Sequence, residues 1–543
     1  MKKPLNITAL ILAALVTVAS VIGCSADTQV TAAAAAALPA AVATAAATLP
    51  VSDYDAEDLE TAIPSDATLI ALKGTTATVD GQGASATGST VTLSEAGTYV
   101  ISGTLTSGQL VVDADKEAMV RIVLNGASVT NPTGPALYGV QAEKIIITLA
   151  PDTVNALTDG SAYSLAEGED EPDAALFSKE DLSINGTGAL TVTGNYAHGI
   201  VSKDDLVLAD GTLHVTAVEN GIRGRDSVSV KAGTITVLAG NDGIQANNDE
   251  DAAKGWIILD GGLITLTAGD DGIHAETDLV INDGTLCILD SVEGLEGKAI
   301  TVYGGVIGLK AQDDGINATS GSTEEATAEG TRPAGPMDSA QEGVYIRILG
   351  GSLSVDAAGD GIDSNGDLFL EGGSILVNGP INGGNGALDY NGTCTVSGGT
   401  LAIAGSAGMA QSPGEASSQN SLTVVFTAAQ AAGTPVTLTD ASGRTVLSVT
   451  PTKVFQSVVF SSPALKRGAA YTLSTGGTLS AAPVNGIITQ GTLSGAQALT
   501  TVTLTQTVTR INENGEAAAE GRMGPGGKGT RTQRPGEAGT ETP

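Results

Sequence analysis

Positive charge is scarce in this sequence. Lys and Arg together number 25 against 60 Asp and Glu, a formal net charge of −35. A phosphate backbone is held by clustered cations, so nucleic acid is excluded as a partner. Aromatic residues are only 3% of the chain, with Trp256 the single tryptophan, which argues against a flat aromatic platform for sugars. The three histidines, His198, His214 and His274, are scattered and suggest no zinc site. No strict three-residue glycine period is present, which excludes collagen. After the first two dozen residues there is no long charge-free apolar run, so the remainder is expected to be soluble. What the chain does have is 72 glycines and 41% apolar residues, much of it Val, Ile, Leu and Ala. That glycine content excludes a long helical protein, and that apolar content excludes a disordered acidic chain. The balance predicts short strands, tight turns and a slim core. The acidity points to divalent cations or basic partners.

The N-terminus reads as an export signal. Lys2 and Lys3 precede an almost wholly apolar stretch over 5–23, ending Val21-Ile22-Gly23-Cys24. A small residue before a cysteine at this place resembles a bacterial lipobox, which implies cleavage before Cys24 and lipidation of its thiol. The plain alternatives are an ordinary signal peptide or a membrane-spanning anchor with Cys24 incidental. Residues 24–65, alanine-rich with Pro39 and Pro50, are expected to be a spacer between lipid and globular body. Residues 512–543 hold Gly, Pro and charges without apolar periodicity and are expected to be a disordered tail.

Between these ends the sequence repeats. Gly-Ile, or a close variant, recurs with its central residue at 199, 221, 243, 272, 294, 315, 361 and, with alanine in place of glycine, 387. The steps are 22, 22, 29, 22, 21, 46 and 26 residues. The long steps contain insertions: NNDEDAAKG around 247–255, a Gly/Thr/Glu/Pro-rich stretch at 320–342, and NGPINGG. Removing them leaves one unit of about 22 residues. Within it three columns recur. After the Ile comes a small residue (Ser202, Gly224, Ala246, Ala275, Gly297, Ala318, Ser364). A second strand begins with Leu206, Val228, Ile257, Leu279, Ile300, Ile346 and Leu368. A third carries Leu213, Ile235, Ile264, Leu286, Ile307, Leu353, Ile375 and Leu401. Their alternation with Thr, Ser and charged residues has period two, hence strands.

Three short strands and three turns per unit make one coil of a parallel β-helix, with strands about 4.8 Å from those of the next coil. One coil cannot bury its own core, so the stack folds only as an array. A β-propeller, the runner-up, needs about 40 residues per blade. The predicted fold is therefore all-β, a right-handed parallel β-helix over 66–420, the hand by analogy, with a small C-terminal β domain or cap over 421–511. Residues 91–139 keep the same grammar in longer units and are expected to form the N-terminal coils and cap. Cys287 and Cys394 fall about four coils, roughly 19 Å, apart. A disulfide needs Cα atoms within about 7 Å, so no bridge between them is expected. Cys394 replaces a core Leu or Val.

The acids fall in columns beside the repeat glycine. Immediately before it stand His198, Asn220, Asp242, Asp271, Glu293, Asp314 and Asp360; one place earlier are Glu219, Asn241, Asp270 and Asp313. Two places after it, expected to point outward, are Arg223, Gln245, His274, Glu296, Asn317, Asp363 and Asp389; Glu276, Asp278 and Asp367 follow along the turns. Like charges stacked 4.8 Å apart repel by roughly 3 kcal/mol per pair at an effective dielectric of about 20. A cation between them is expected, and calcium, which takes six to eight oxygens, fits better than magnesium. The candidate metal ligands are Asp242, Asp270, Asp271, Glu276, Asp278, Glu293, Glu296, Asp313, Asp314, Asp360, Asp363 and Asp367. The plain alternative is that Asp-Gly and Asn-Gly are turn dipeptides whose Asp and Asn tolerate left-handed backbone.

Several stretches are long enough to carry a resemblance: GTYVISGTL (97–105), DAALFSKEDLSINGTGALTVTGNYAHGIVSKDDL (173–206), NGIRGRDSVSV (220–230), NDEDAAKGW (248–256), DGIDSNGDL (360–368), NGALDYNGT (385–393) and GMAQSPGEASSQNS (408–421). The sequence over about 66–510 resembles the bacterial carbohydrate-binding domain-containing protein family. The resemblance implies a right-handed parallel β-helix of pectate-lyase-like architecture that binds calcium and polysaccharide, cellulose as well as acidic sugars such as polygalacturonate.

Three readings of function follow. The first is an exported lipoprotein at the outer face of the bacterial cell membrane, a monomer reaching the membrane only through its lipid, that holds polysaccharide through calcium. The second is a calcium-dependent polysaccharide lyase, which needs a base; Arg223, Arg225, Lys203 and Lys298 lie on the acid-lined face, with Arg223, Arg225 and Lys298 the catalytic candidates. The plain role of these cations is to neutralise neighbouring acids. The third is a structural adhesin without a specific glycan. Trp256 follows the acidic insertion and either stacks on a sugar or packs against the solenoid.

Overall fold

The computed structural model describes residues 54–165, 170–320 and 339–519, together with 52 and 168. Cys24 with the export signal, most of the alanine-rich segment, part of the large insertion and the chain from 520 onward lie outside the described residues.

Strand follows strand in about 11 turns of a parallel β-solenoid. Three ladders of like residues form its core. In the first, Leu176 pairs with Ile200, then Ile222, Ile244, Ile273, Leu295, Ile316 and Ile362. The second runs Leu182, Leu206, Val228, Ile257, Leu279, Ile300, Ile346, Leu368 and Cys394. The third runs Leu190, Leu213, Ile235, Ile264, Leu286, Ile307, Leu353, Ile375 and Leu401. From Ile200, Leu206 and Leu213 onward these are the repeat's Ile and its second and third columns, and Leu176, Leu182 and Leu190 extend them one coil upstream. All are buried, most of them completely. Each such side chain contributes about 1.5–3 kcal/mol by leaving water. Cys394 is a buried free thiol in a ladder position, so it makes no bridge to Cys287.

Two glycine columns serve different ends. Gly211, Gly233, Gly262, Gly284, Gly305, Gly351, Gly373 and Gly399 turn the chain into the third ladder with φ between 76° and 117°, a backbone that only glycine adopts without strain. The repeat glycine before the first ladder has no positive φ. Its constraint is space. A Cβ on Gly272 or Gly315 would lie 2.6 or 2.5 Å from the carbonyl oxygen of Gly294 or Gly361 in the next coil.

The ends are closed. At the start, Thr68–Gly74 and Thr76–Asp80 form an antiparallel hairpin, as do Ala84–Thr87 and Thr90–Leu93; the first strand of the first hairpin pairs in parallel with Gly97–Leu105, and the second strand of the second, Thr90–Leu93, with Gln109–Asp113. At the far end Phe455–Ser461 pairs antiparallel with the last third-ladder strand, Thr400–Gly405, and is followed by Ser421–Gln430 and Val508–Asn512. A five-stranded sheet packs beside it around a second apolar core of Phe426, Phe455, Phe460, Leu438 and Leu473. Covering the terminal coil hides backbone groups that would otherwise pair with another chain.

Two expectations about the ends are corrected. Residues 54–60, placed in the spacer, are docked on the outside of the second ladder. The helix Ala56–Leu59 puts Asp58 against Lys144 at 2.6 Å, and Asn185 donates to the carbonyls of Asp58 and Glu60 at 2.8 and 3.0 Å. The tail expected from 512 begins later: Asn512 donates to the Glu516 carbonyl at 2.8 Å and Glu513 accepts the N–H of Thr427 at 3.0 Å. In both places polar side chains make the attachment, and apolar periodicity gives no sign of it.

A candidate cation-binding groove beside the first ladder

Each coil enters the first ladder through the residue before the repeat glycine. Three residues later a side chain leaves the ladder's outer face, and the two meet. Gln245 Nε2 donates to Asp242 Oδ2 at 2.6 Å, and His274 Nδ1 lies 2.9 Å from Asp271 Oδ2. The outer residues are less exposed than expected: Glu296 and Asn317 are buried, and Arg223, Gln245, His274 and Asp363 are half-buried. The residue pairs stacked along the axis therefore line a groove, not an open face.

The column before the glycine is also a hydrogen-bond ladder. The N–H of Asn220 donates to His198 Nδ1 at 3.1 Å, that of Asp242 to Asn220 Oδ1 at 3.2 Å, that of Asp271 to Asp242 Oδ1 at 3.1 Å and that of Asp360 to Asp314 Oδ1 at 2.5 Å. Gly386 donates to Asp360 in the same way. A short side chain reaches the next coil's amide, which accounts for Asp and Asn here. Left-handed backbone does not account for them: the non-glycine residues with positive φ, among the described residues, are Asp152 and Asn485.

Compensation of charge changes along the groove. Upstream, Arg223 lies 3.5 Å from Asp173 and 3.0 Å from His198 Nε2, and His198 lies 3.3 Å from Asp173. Burial works against the Asp173 carboxylate, but His198, Arg223 and Lys203 together hold it below the usual range. In the middle, His274 sits among Asp271 at 2.9 Å, Glu296 at 3.3 Å and Glu276 at 3.9 Å. Burial opposes its charge, yet these carboxylates raise its pKa well above the ordinary value. Asp242 and Asp271 are still pushed up, by burial first. Downstream, Asp314, Asp360 and Asp363 bring one carboxylate oxygen each to within 4.8 Å of one another. None of the three makes an ion pair among the described residues. Burial, then the neighbouring carboxylates, push Asp314 up to about 9, Asp360 up to about 7 and Asp363 well above the ordinary value.

Of the twelve candidate ligands, seven lie in such clusters. Asp242 and Asp271 group with His274; Asp271 also groups with Glu293 and Glu296; Asp314 groups with Asp360 and Asp363. The other five do not. Asp270 and Asp313 use their backbones in the coil-to-coil ladder. Glu276 reaches His274, and Asp278 lies on the second ladder's edge near Lys298. Asp367 accepts the N–H and O–H of Thr393, both at 2.8 Å. Asp270 and Asp313 stand two places before the repeat glycine and Glu276, Asp278 and Asp367 four to six places after it, outside the two positions that line the groove. A further cluster escaped the column reading: Asp181, Asp204 and Asp205, in the turn between first and second ladders, where burial and then Asp226 push Asp204 up to about 7. Its only sequence trace is the paired text SKEDL and SKDDL. The lyase candidates are engaged or isolated. Arg223 is held as above, Arg225 pairs with Glu250 at 2.6 Å and Lys203 with Glu171, while Lys298 faces Asp278. Trp256 begins a second-ladder strand beside Ser227 and is half-buried.

Comparison with known proteins finds a family model, a curated relative and a solved structure that the chain resembles. A protein of Acetivibrio thermocellus described as carbohydrate-binding domain-containing protein is 38% identical over 128 residues, 23% of this chain and 45% of that protein. The chain thus spans less than half the length of the curated relative it matches. A solved structure described as the polysaccharide lyase-like protein from C. thermocellum, gadolinium derivative, is 31% identical, with a TM-score of 0.40, covering 47% of this chain and 98% of that one. The model of the carbohydrate-binding domain-containing protein family matches residues 87–331. Over that stretch the chain is similar to the carbohydrate-binding domain-containing protein family.

Proposed function

We propose that this chain is a carbohydrate-binding protein that holds polysaccharide through calcium in the groove beside the first ladder. The observation that carries the reading is the uncompensated Asp314, Asp360 and Asp363 cluster. Of its six carboxylate oxygens, one of Asp314 and one of Asp360 accept backbone N–H groups, leaving four. Asn317, buried, turns its Nδ2 to Glu293 in the preceding coil at 2.8 Å, and its Oδ1 has no partner. Asp363 pairs beside Asn317 in the following coil. Five protein oxygens with room for water or a sugar carboxylate suit calcium, which takes six to eight. An acidic protein meets an acidic polymer only across bridging cations, so the ligand class is a uronate-rich glycan such as polygalacturonate. A purely structural adhesin would have no use for half-buried carboxylates left without counter-charge.

Binding is preferred to lyase chemistry because Arg223 and Arg225 are tied to acids and, among the described residues, no arginine pairs with the uncompensated cluster. The export signal and Cys24 support a lipid-anchored monomer at the outer face of the cell membrane, with the docked 54–60 segment where the spacer meets the body. The test is retention of the protein on immobilised polygalacturonate with and without EDTA. Retention lost in EDTA and restored by calcium supports the reading; retention unchanged by EDTA sinks it. Unsaturated uronate products that disappear in Arg225→Ala would replace it with the lyase.

A further inference from the structure

Where the N-terminal segment docks on the second ladder, an amine is pressed against a carboxyl. The helix Ala56–Leu59 has four residues, too few to hold itself in water. Around it, Arg121 donates to the carbonyls of Glu57 and Glu60, and Asn185 to those of Asp58 and Glu60. In the middle stand Lys144 and Asp58, 8% and 1% exposed, with Nζ 2.6 Å from Oδ1. Taking two charges out of water is costly, and their mutual attraction need not offset it. Joining them covalently removes both charges. A second carboxylate touches the same amine: Asp55 Oδ2 lies 3.1 Å from Nζ. A lysine, an aspartate and a further acid in contact are the set from which an amide bond between side chains can form.

Each atom around the pair has a place in that reaction. An attacking atom has to stand about 3–3.5 Å from the carbon it attacks, and an amine in contact with one carboxyl oxygen is beside that carbon. Asp58 Oδ2 accepts the Asp55 N–H at 3.0 Å, a donor aimed at the oxygen that carries negative charge once Cγ becomes tetrahedral. Asp58 Oδ1 accepts the Ser183 hydroxyl at 2.5 Å and is the oxygen that leaves. The Asp55 carboxylate takes a proton from Nζ, and its side chain, 67% exposed, gives the departing water a way out. Burial, first among the influences on Lys144, opposes its charge, but Asp58 and Asp55 raise its pKa above the ordinary value. The resting state is therefore the ion pair, and the reaction is one slow event on the folded chain. We propose that Lys144 and Asp58 condense into an isopeptide bond that locks the N-terminal segment to the second ladder. The Nζ–Cγ bond forms and the Cγ–Oδ1 bond breaks. Of the three protons on Nζ, one stays on the amide nitrogen. The other two, one of them by way of Asp55, end on Oδ1, which departs as water. Charge balances, and no oxidant, reductant or co-reactant is needed. A pull on the chain before Tyr54 would peel off a four-residue helix; through this bond it passes to the solenoid instead. The linkage rests neither on calcium nor on carbohydrate, and Asp58 lies outside the stretch matched by the family model.

The test is mass spectrometry of peptides from the purified full chain, denatured and digested with trypsin. In the joined protein trypsin does not cut after Lys144. The peptide 122–179 then stays whole and is attached to the one ending at Lys73, the sum being lighter by one water. Lys144→Arg keeps a positive charge beside Asp58 but supplies no amine, and Asp58→Ala removes the carboxyl. Both variants should lose the joined peptide entirely. Asp55→Ala, which keeps the backbone N–H and removes the acid at Nζ, should leave most of the two peptides separate. The peptides of the unaltered chain decide by themselves, so a variant that folds poorly does not blur the outcome. Separate peptides in the unaltered chain, meaning an ion pair only, overturn the proposal. So does a loss of water that persists in Lys144→Arg, or complete linkage in Asp55→Ala, which leaves no task for the acid that touches Nζ.

Discussion

Two stretches of one groove, built on the same repeat, reach opposite electrostatic states. Upstream, the residues before and after the repeat glycine are His198, Asn220 and Arg223, and with Asp173 they close a self-neutralising set. Downstream, the same positions are Asp314, Asp360 and Asp363, with no basic side chain paired to them among the described residues. Backbone register, glycine spacing and inner ladder are common to both. The coil therefore does not dictate the charge of its groove. The inner ladder makes the fold, while the outer positions are free to be filled by a protein cation or left for one from solution.

The largest effects test what the two stretches share. Ile222→Ala upstream and Ile316→Ala downstream should each cost about 2–5 kcal/mol by denaturant unfolding, because both leave a cavity in the same ladder. Calcium should restore amide protection around Ile316 and not around Ile222, since ligand stabilises the coils that hold it. Equal rescue at both places breaks the comparison. Next is the difference itself. Asp363→Asn should weaken calcium by at least about 10–100-fold in calorimetry, the loss usual even for supporting residues of a metal site. Arg223→Ala should leave calcium affinity unchanged and lower stability instead, by about 1–3 kcal/mol, as Asp173 loses a partner.

Acidity should separate the stretches by sign. The Asp173 carboxyl is held below its unfolded value, so its contribution is present above about pH 4 and is lost as pH falls. Asp314 and Asp360 lie above theirs, at about 9 and about 7. Without calcium, their contribution is present below about pH 4 and is lost as pH rises through 7 and 9. On the proposed reading protons and calcium would compete for these oxygens, so calcium affinity should rise across the same window. Melting curves from pH 3 to 9 in EDTA, repeated with calcium, check both signs. The Asp314→Asn variant should flatten the alkaline side only.

The solenoid was legible because its inner residues obey one rule, burial at fixed spacing, and the three apolar columns can be read from Ile222, Val228 and Ile235 onward without any structure. The candidate site was half legible. The column before the glycine was visible as Asp242, Asp271, Asp314 and Asp360, but its reason was not, since a side chain accepting the next coil's amide leaves no trace in composition. Nor could spacing tell that His274 neutralises its row while Asn317 leaves an oxygen open in the next. The docked helix over Ala56–Leu59 was missed for a similar cause. It is four residues long and held by Lys144, Arg121 and Asn185, polar contacts from far along the chain that no local pattern announces.

The smallest effect is expected where the groove ends and the ladder continues. Cys394 follows Leu368 in the second ladder, 1% exposed, and burial pushes its thiol up to about 12. At pH 8 almost none of it is thiolate, and a thiol reagent has no path to it in the folded chain. Cys394→Val exchanges one small apolar side chain for another of nearly the same volume, so stability should move by less than about 1.5 kcal/mol. Calcium affinity should not move at all, because the ladder position faces inward and carries no groove residue. A labelled Cys394 in the native protein, or a Cys394→Val variant with weakened calcium binding, would mean that inner and outer faces of a coil are coupled and that the separation between a shared core and a variable groove is drawn too sharply.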